Sequence, residues 1–191
     1  MLRIGLFGGS FDPVHLGHLL VGQAAREELG LARLYFIPAA QSPFKPQQKP
    51  AAASIRLQLL RLALAGLAWC VVDDQEVVRG GVSFTIDTVR DYARRFPDAQ
   101  LFYLVGADHV QLLPKWREAE ELSRLTQIAV IGRPGQVEAP LPAPFRGHRV
   151  KGFPLGVSSS QIRGRIKAGL PIEPLVPAPV AEAIRNNRLY L

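Results

Sequence analysis

Short apolar runs alternate with segments of helical periodicity along this chain. Six apolar runs are typical of strands: Leu2–Phe7, Leu34–Ile37, Trp69–Asp73, Leu101–Val105, Gln127–Ile131 and Arg149–Phe153. Five segments repeat apolar residues every three or four positions and predict helices: Leu16–Leu29, Ile55–Leu67, Thr85–Phe96, Ser159–Ala168 and Pro179–Asn187. Strands that alternate with helices predict a mostly parallel sheet with helices on both faces. We therefore expect a Rossmann-like, doubly wound α/β fold.

Glycine, serine and proline positions suggest where these elements end. Gly30 follows the first helical segment and predicts its end, because glycine accepts the left-handed backbone that closes many helices. Ser54 precedes the second helical segment and predicts its N-cap. The proline-rich stretch Arg133–Gly147 is interpreted as a surface loop, since the residues after it are few for an independent core. We therefore treat residues 1–191 as a single domain.

The net charge of +7 limits the classes of partner. It suits nucleic acid, an anionic membrane or a small polyanionic substrate. The basic residues are scattered and aromatic residues make up only 8% of the chain, so we predict no nucleic-acid partner. No apolar run reaches the roughly 20 residues that span a bilayer, so we predict no membrane partner. The single cysteine, Cys70, excludes an intramolecular disulfide and favours a cytoplasmic location.

The segment Gly8–His18 joins the first predicted strand to the first predicted helix, and it is the strongest chemical signal in the chain. Gly8 and Gly9 let the backbone approach a ligand closely, and the helix start offers free N–H groups with partial positive charge. His15 and His18 add hydrogen-bond donors that can become cationic. This pattern predicts a phosphate site.

Two histidines three positions apart have other interpretations. They could be a packed or surface pair, or part of a zinc site, but no nearby Cys, His or Glu completes a zinc ligand set. The segment lacks the Gly-Lys-Ser/Thr ending of a P-loop and the Gly-x-Gly-x-x-Gly pattern of dinucleotide-binding proteins. Phosphate binding is the interpretation that also explains why Gly8 and Gly9 precede the histidines.

A second anion-binding pattern lies near the C-terminus. Ser158, Ser159 and Ser160 precede a run of helical periodicity, so their hydroxyl groups and the free N–H groups of a helix start can hold phosphate oxygens. Arg163 follows one turn later, and its planar guanidinium suits two oxygens of a phosphate. A serine-rich N-cap followed by arginine is also common in proteins that bind no ligand there.

The fourth predicted strand also ends in a glycine and a polar residue, Gly106 and Asp108. In parallel sheets the ligand crevice lies beyond the carboxyl ends of the strands, where the strand order reverses. If the first and fourth strands are neighbours, both of their loops open onto one crevice.

Several motifs stand in a fixed order along the chain: Gly8–His15, His15-x-Gly17-His18, Ser42–Lys45, Ser83–Thr88, Gly106–Asp108, Leu113–Trp116, Gly132–Pro134 and Ser158–Arg163. The histidine and serine–arginine motifs resemble those of the nucleotidyltransferase superfamily. From Leu2 to Tyr190 the chain more closely resembles the bacterial nicotinate-nucleotide adenylyltransferases. Several motifs in a shared order are far more specific than any one alone.

The resemblance implies an activity, in which the AMP moiety of ATP is joined to nicotinate mononucleotide. The products are deamido-NAD and pyrophosphate, in NAD biosynthesis. The attacking phosphate is already ionised near pH 7, so no general base is needed. The protein must instead hold two anions in line and neutralise the charge that grows during transfer. Mg²⁺ is expected to travel mainly on the ATP phosphates and water, with no direct protein ligand.

The resemblance also assigns roles to single residues. The expected catalytic residues are His15, His18 and Arg163. The expected ATP-binding residues are Gly8, Gly9, Ser10, Phe11, His15, His18, Gly106, Asp108, Ser158, Ser159 and Arg163. The expected nicotinate mononucleotide-binding residues are Ser10, Lys45, Thr85, Asp108, Trp116 and Arg117.

The resemblance implies a separate role for each residue singled out in the motifs between residues 42 and 117. Asp108 accepts hydrogen bonds from ribose hydroxyls, and Lys45 meets the mononucleotide phosphate. Thr85 caps a helix whose backbone faces the nicotinate carboxylate, and Trp116 stacks on the pyridine ring. Arg117 departs from the family pattern, because many relatives carry an aromatic residue there. We hypothesise that Arg117 itself reaches the carboxylate and favours the acid over the amide.

Other functions stay open from the sequence. A related adenylyltransferase could act on phosphopantetheine, but that group usually has Thr in place of His15 and lacks the segments around Thr85 and Trp116. An adenylyltransferase could instead act on nicotinamide mononucleotide, a substrate that differs from nicotinate mononucleotide only in a charge at its far end. A non-catalytic nucleotide-binding domain is expected to lose His18 or Arg163, and both are present. The sequence leaves open whether the chain forms a homo-oligomer.

Overall fold

One parallel sheet forms the centre of the structure, a computed structural model that describes residues 1–43, 50–132, 139–153 and 155–191. Its strands are β1 Leu2–Gly9, β2 Arg33–Pro38, β3 Cys70–Val72, β4 Ala99–Gly106, β5 Gln127–Ile131 and β6 Gly147–Val150. Adjacent strands are parallel throughout, in the order β3-β2-β1-β4-β5-β6. The predicted Rossmann-like sheet is confirmed.

Helices join the strands. They are α1 Leu16–Leu29, α2 Ala53–Leu64, α3 Gln75–Arg79, α4 Thr85–Arg95, α5 Ala119–Leu125, α6 Ser159–Lys167 and α7 Ala178–Asn186, with a 3₁₀ helix at Ala107–Lys115. Gly30 has φ 64° and ends α1 as predicted. The sequence did not predict α3 and α5, because five and seven residues are too few to show a helical period. Within the described ranges, none of the helices has both the length and the apolar character needed to cross a membrane.

The start of α2 differs from the prediction. The helix begins at Ala53 with Ala52 as its N-cap, so the predicted cap Ser54 already lies inside the first turn. The cause is that the Ala52 carbonyl accepts the Arg56 N–H at 3.1 Å, which forms the first turn before the serine could cap it.

The end of β6 also differs from the prediction. The strand stops at Val150 instead of continuing to Phe153. The next two backbone N–H groups, of Lys151 and Gly152, donate to the two carboxylate oxygens of Glu28 at 2.9 and 3.0 Å. Because α1 takes these donors, the chain leaves the sheet at this point.

Successive side chains along each strand point to opposite faces of the sheet, and they form two apolar layers, one on each face. In β2, Leu34 and Phe36 belong to the layer that includes buried residues of α1, α2, α6 and α7. Tyr35 and Ile37 belong to the opposite layer, with buried residues of α4 and α5. Helices thus cover both faces of the sheet, as expected.

The strand order reverses between β1 and β4, which lie side by side in the middle of the sheet. Their register pairs Leu6 with Tyr103. In such sheets the ligand crevice lies at the carboxyl ends of the strands at this reversal. The loops after Gly9 and Gly106 therefore open at the same edge, as expected for neighbouring strands.

Candidate active site

Glycines at the end of β1 make room for the loop that leads to α1. Gly8 lies against β4, and a Cβ at this position would overlap the Tyr103 hydroxyl. Phe11 has a positive φ of 46°, a backbone conformation that non-glycine residues rarely adopt and that surrounding contacts must hold. The loop is therefore a tight, strained turn directly before α1, where the sequence predicts phosphate binding.

His15 and His18 form one unit at the N-terminus of α1. His15 is the N-cap, and His18 is the third residue of the helix. Their ring centroids are 3.7 Å apart, and the His15 backbone N–H donates to His18 Nδ1 at 3.2 Å. Because Nδ1 accepts this bond, the proton of the neutral His18 ring sits on Nε2. His18 can therefore offer an Nε2–H donor to an anion.

Packing fixes both imidazole rings. The His18 ring centroid lies 5.9 Å from that of Phe7 and 5.0 Å from that of Phe11. His15 is buried at 6% exposure, whereas His18 is half-buried. Donors that are already fixed need not reorganise when charge develops on a ligand, and this makes them effective electrostatic stabilisers. His18 is the more accessible of the two.

The N-terminus of α6 is tied to the same loop. Ser158 is its N-cap, and Ser159 Oγ donates to the Pro13 carbonyl at 2.8 Å. Arg163, one turn into the helix, donates through Nη1 to the Asp12 carbonyl at 2.7 Å. The two segments that the sequence predicts to bind phosphate are thus brought together by direct hydrogen bonds.

The two helix starts approach each other closely at Gly17. A Cβ at this position would lie 3.0 Å from the His15 ring and 3.3 Å from a methyl group of Val157, in the segment before α6. A larger residue here would require the His15 ring or the Val157 side chain to shift by a few tenths of an ångström. Two helix N-termini at one sheet edge concentrate free N–H groups and partial positive charge, which suits an anionic ligand.

Two residues that sequence reasoning missed, Arg56 and Tyr190, lie under this loop. Arg56 is buried at 1% exposure, and its Nη1 donates to the Ser10 carbonyl at 2.9 Å. The Tyr190 hydroxyl lies beside the Asp12 carboxylate. Burial, and then this carboxylate, raise the pKa of Tyr190, so it stays a neutral phenol.

Asp108 does not stand at the end of β4 as predicted. The strand ends at Gly106, and the 3₁₀ helix begins directly with Ala107, so Asp108 is its second residue. The carboxylate folds back over Gly106, where any Cβ would collide with it, and lies 3.7 Å from His109 Nε2. It remains at the crevice edge with 38% of its side chain exposed.

Thr85, Trp116 and Arg117 lie around the start of α4. Thr85 is the first helical residue and Phe84 is the N-cap, so the predicted cap at Thr85 is wrong. The reason is that Thr85 Oγ1 points to the sheet and donates to the Tyr103 hydroxyl at 3.3 Å. The Trp116 ring meets the same tyrosine edge-on, with centroids 6.0 Å apart.

Arg117 adds positive charge to this helix start. Its guanidinium carbon lies 4.9 Å from the centroid of the Phe84 ring, a cation–π contact. Arg117 Nη1 is 3.9 Å from Asp87, and Nε is 3.3 Å from Glu118. The side chain is 51% exposed, so it can still turn towards a ligand.

A buried carboxyl group that the sequence did not signal lies nearby. Glu76 of α3 is 4% exposed and accepts a hydrogen bond from Thr88 Oγ1 at 2.6 Å. Burial raises the pKa of Glu76, although hydrogen bonds from Thr88 and Ser83 lower it. Ser83 Oγ in turn accepts the Ala40 N–H at 2.9 Å, which joins this cluster to the end of β2.

The remaining predicted residues divide into two groups. Gly9 is the last residue of β1, and Ser10 and Phe11 follow it in the loop, where Ser10 is half-buried. Lys45, and with it part of the Ser42–Lys45 motif, lies outside the described residues, as does part of the Gly132–Pro134 motif.

Known proteins are similar to this chain over nearly its full length. The family model described as cytidylyltransferase-like matches residues 6–165. A protein of Opitutus terrae, named a probable nicotinate-nucleotide adenylyltransferase, is 39% identical and aligns over 99% of this chain and 98% of its own length. A protein of Thermus thermophilus with the same name is 41% identical over 99% of this chain and 100% of its own.

Solved structures share the fold. Plasmodium falciparum nicotinic acid mononucleotide adenylyltransferase complexed with NaAD has a TM-score of 0.84 at 16% identity, covering 100% of this chain and 98% of that one. The same protein complexed with APC has a TM-score of 0.80 over the same shares, again at 16% identity. At this level of identity the similarity establishes the architecture.

Proposed function

The chain belongs to the cytidylyltransferase-like family, among its nicotinate-nucleotide adenylyltransferases, and on this basis we propose that it joins the AMP moiety of ATP to nicotinate mononucleotide. The products are nicotinate adenine dinucleotide and pyrophosphate. The observation that carries the proposal is the meeting of two helix N-termini, tied together by Ser159 and Arg163 at the Asp12–Pro13 loop. Such a site suits anions, and phosphate groups among them.

In the proposed reaction, a phosphate oxygen of the mononucleotide attacks the α-phosphorus of ATP. The bond from the α-phosphorus to the oxygen that bridges to the β-phosphate breaks, and pyrophosphate leaves with its electron pair. The attacking phosphate is ionised near neutral pH, so the protein need not remove a proton. Its task is to align two anions that repel each other and to stabilise the charge of the transition state.

His18 and Arg163 are placed for this stabilisation. His18 offers an Nε2–H donor at the start of α1, and Arg163 offers a planar guanidinium at the start of α6. His15 fixes the His18 ring through the backbone bond and the ring stack. We assign the ATP phosphates to these groups, the backbone of Gly8–Phe11, and the α6 residues Ser158 and Ser159.

The acceptor is assigned to the side of the crevice formed by α4 and the 3₁₀ helix. In this proposal Trp116 stacks on the pyridine ring, and the first backbone N–H groups of α4, from Thr85 onward, face its carboxylate. Asp108 accepts hydrogen bonds from ribose hydroxyls at the crevice edge. Ser10 and Lys45 are assigned to the mononucleotide phosphate. The support is the cluster of Thr85 and Trp116 around Tyr103.

We propose that ATP binds as its Mg²⁺ complex, with the ion held mainly by the phosphates and water. Among the described residues, no group of three or more His, Cys, Asp or Glu side chains lies close enough to hold a metal ion. The ion carried by the substrate neutralises part of the phosphate charge, and the protein donors act on the rest.

The compartment that we propose is the cytoplasm. The single cysteine, Cys70, lies half-buried in β3. Burial raises the pKa of its thiol to about 12, so the thiol stays protonated near neutral pH and reacts poorly with oxidants. A chain with one such thiol needs no oxidising environment.

A pyrophosphate-release assay tests the proposed function. We expect rapid release with Mg–ATP and nicotinate mononucleotide, slower release with nicotinamide mononucleotide, and none with phosphopantetheine. An absence of release with nicotinate mononucleotide would overturn the proposal. Faster release with the amide or with phosphopantetheine would reassign the acceptor.

Replacing Arg117 with alanine is expected to reduce the preference for the acid over the amide. The ratio of kcat/KM for the two mononucleotides should fall about five- to tenfold, which corresponds to about 1 kcal/mol for one partly exposed charge. Arg94→Ala is the matched control, because Arg94 lies in the last turn of α4 and its side chain is 79% exposed. An unchanged ratio in Arg117→Ala would show that the guanidinium does not reach the carboxylate.

A further inference from the structure

Arg56 is a fully buried cation that binds two carbonyl groups of the active-site loops. Its Nε donates to the Ala51 carbonyl at 3.0 Å, and its Nη1 donates to the Ser10 carbonyl at 2.9 Å. Burial lowers the pKa of Arg56, whereas the nearby Asp12 and Tyr190 raise it. A buried charge costs several kcal/mol, and apolar residues of similar volume are often as good for stability. Packing alone therefore does not explain an arginine at this position.

The contacts of Arg56 close a ring around the loop after β1. Asp12 Oδ1 accepts the Ala51 N–H at 3.2 Å, and Arg56 links Ala51 to Ser10 by donating to the backbone carbonyls of both. Phe11 lies between Ser10 and Asp12 with its positive φ of 46°. Strained backbone persists only where surrounding contacts hold it, so these bonds stabilise the shape of the turn.

Arg163 holds the same turn from the opposite side, but through contacts that a ligand can displace. Its side chain is 28% exposed, and it donates to the Asp12 carbonyl at 2.7 Å and to Ser160 Oγ at 3.3 Å. A guanidinium that turns to bind phosphate oxygens gives up at least one of these bonds. Arg56, at 1% exposure, is not reached by the ligand and keeps its bonds.

We infer, on the basis of the proposed function, that Arg56 is a positioning residue for adenylyl transfer. It holds the Ser10–Asp12 turn in its reactive shape while Arg163 moves from the Asp12 carbonyl to the phosphates. Arg56 itself does not touch the substrates. Its loss is therefore felt in the rate of the chemical step more than in the binding of either substrate.

Steady-state kinetics of Arg56→Ala and Arg56→Lys test this role. We expect kcat of Arg56→Ala to fall about 10- to 100-fold, because misplacement of a reacting group by about 1 Å has effects of this size. Both KM values should change less than kcat does, because most of the groups assigned to substrate binding lie outside the Ser10–Asp12 turn. Arg56→Lys should give an intermediate kcat, because a single ammonium nitrogen cannot occupy both the Nε and the Nη1 positions from which Arg56 donates.

The matched control is Leu122→Ala, a change at a fully buried residue of α5 in the other apolar layer. It is expected to lower the melting temperature with kcat near that of the wild type. Guanidinium at low millimolar concentration should restore part of the kcat of Arg56→Ala, whereas sodium chloride should not. Arg56→Ala with a kcat like that of Leu122→Ala would overturn the positioning role, and if this variant does not fold, Arg56→Lys decides in the same way.

Amide hydrogen exchange separates this role from the proposed function. In Arg56→Lys, the segment of residues 8–15 is expected to exchange faster than in the wild type, whereas in Leu122→Ala it is expected to be unchanged. Unchanged exchange in Arg56→Lys would overturn the positioning role even if adenylyl transfer is established. An inactive wild-type protein with the expected exchange pattern would instead overturn the proposed function and leave Arg56 as the residue that holds the turn.

Discussion

Replacement of His18 with alanine is expected to lower kcat about 100- to 1000-fold, the usual cost of removing one fixed donor from a site that stabilises a developing negative charge. The Nδ1 atom already accepts the His15 N–H, so the donor lost is the Nε2–H group. The melting temperature should stay within about 3 °C of the wild type, because alanine suits a helix and the half-buried ring contributes little to the core. Steady-state kinetics and thermal unfolding measure the two effects.

His148→Ala is the control for this prediction. His148 lies exposed on β6, with its Nε2 bonded to the Gln127 side chain at 3.0 Å, away from the crevice. Its removal is expected to leave kcat unchanged. If His18→Ala retains turnover at an unchanged melting temperature, His18 takes no part in the reaction.

Replacement of Arg163 with alanine is expected to lower kcat/KM for ATP about 100-fold or more. The variant loses a planar group that can bind two phosphate oxygens, and hydrogen bonds of this charge-assisted kind are about twice as strong as neutral ones. It also loses the bond to the Asp12 carbonyl that ties α6 to the loop after β1. Arg163→Lys should recover only part of the loss, because an ammonium group cannot reproduce the fork.

Arg165 of the same helix provides the matched control. Its Nε donates to the Pro171 carbonyl at 2.9 Å on the exposed side of α6. Arg165→Ala removes the same type of side chain and the same type of hydrogen bond to a backbone carbonyl. Arg165 does not face the crevice. Comparable losses in the two variants would mean that Arg163 acts through the stability of α6 alone.

The outline of the fold is predictable from local patterns. Strands such as Gln127–Ile131 and the helix that Gly30 ends are visible in the sequence because apolar spacing and a single glycine are local signals. The sequence left open whether the first and fourth strands are neighbours, and the structure shows β1 paired with β4. Short elements such as α3 were missed, because five residues carry no measurable period.

The contacts that build the site are not local, and this is why the sequence only hinted at them. Arg163 and Asp12 are separated by 151 positions, and Ser159 and Pro13 by 146. Each residue type suggested an anion site, but nothing in the pattern said that the two segments bind each other.

Arg56 illustrates the same limit. It stands three and four positions before Leu59 and Leu60, so it lies on the apolar face of α2. A basic residue on such a face is the only signal in the sequence. Its partners, the carbonyl groups of Ser10 and Ala51, become visible only when the sheet has brought the loops together.

Isotope tracing of the product tests the central claim most directly. The protein is incubated with Mg–ATP and nicotinate mononucleotide whose phosphate oxygens carry ¹⁸O, and the products are analysed by mass spectrometry. We predict equal amounts of nicotinate adenine dinucleotide and pyrophosphate, with all of the label in the dinucleotide, because an acceptor oxygen attacks the α-phosphorus. Absence of the dinucleotide, or label in the pyrophosphate, would contradict adenylyl transfer to nicotinate mononucleotide.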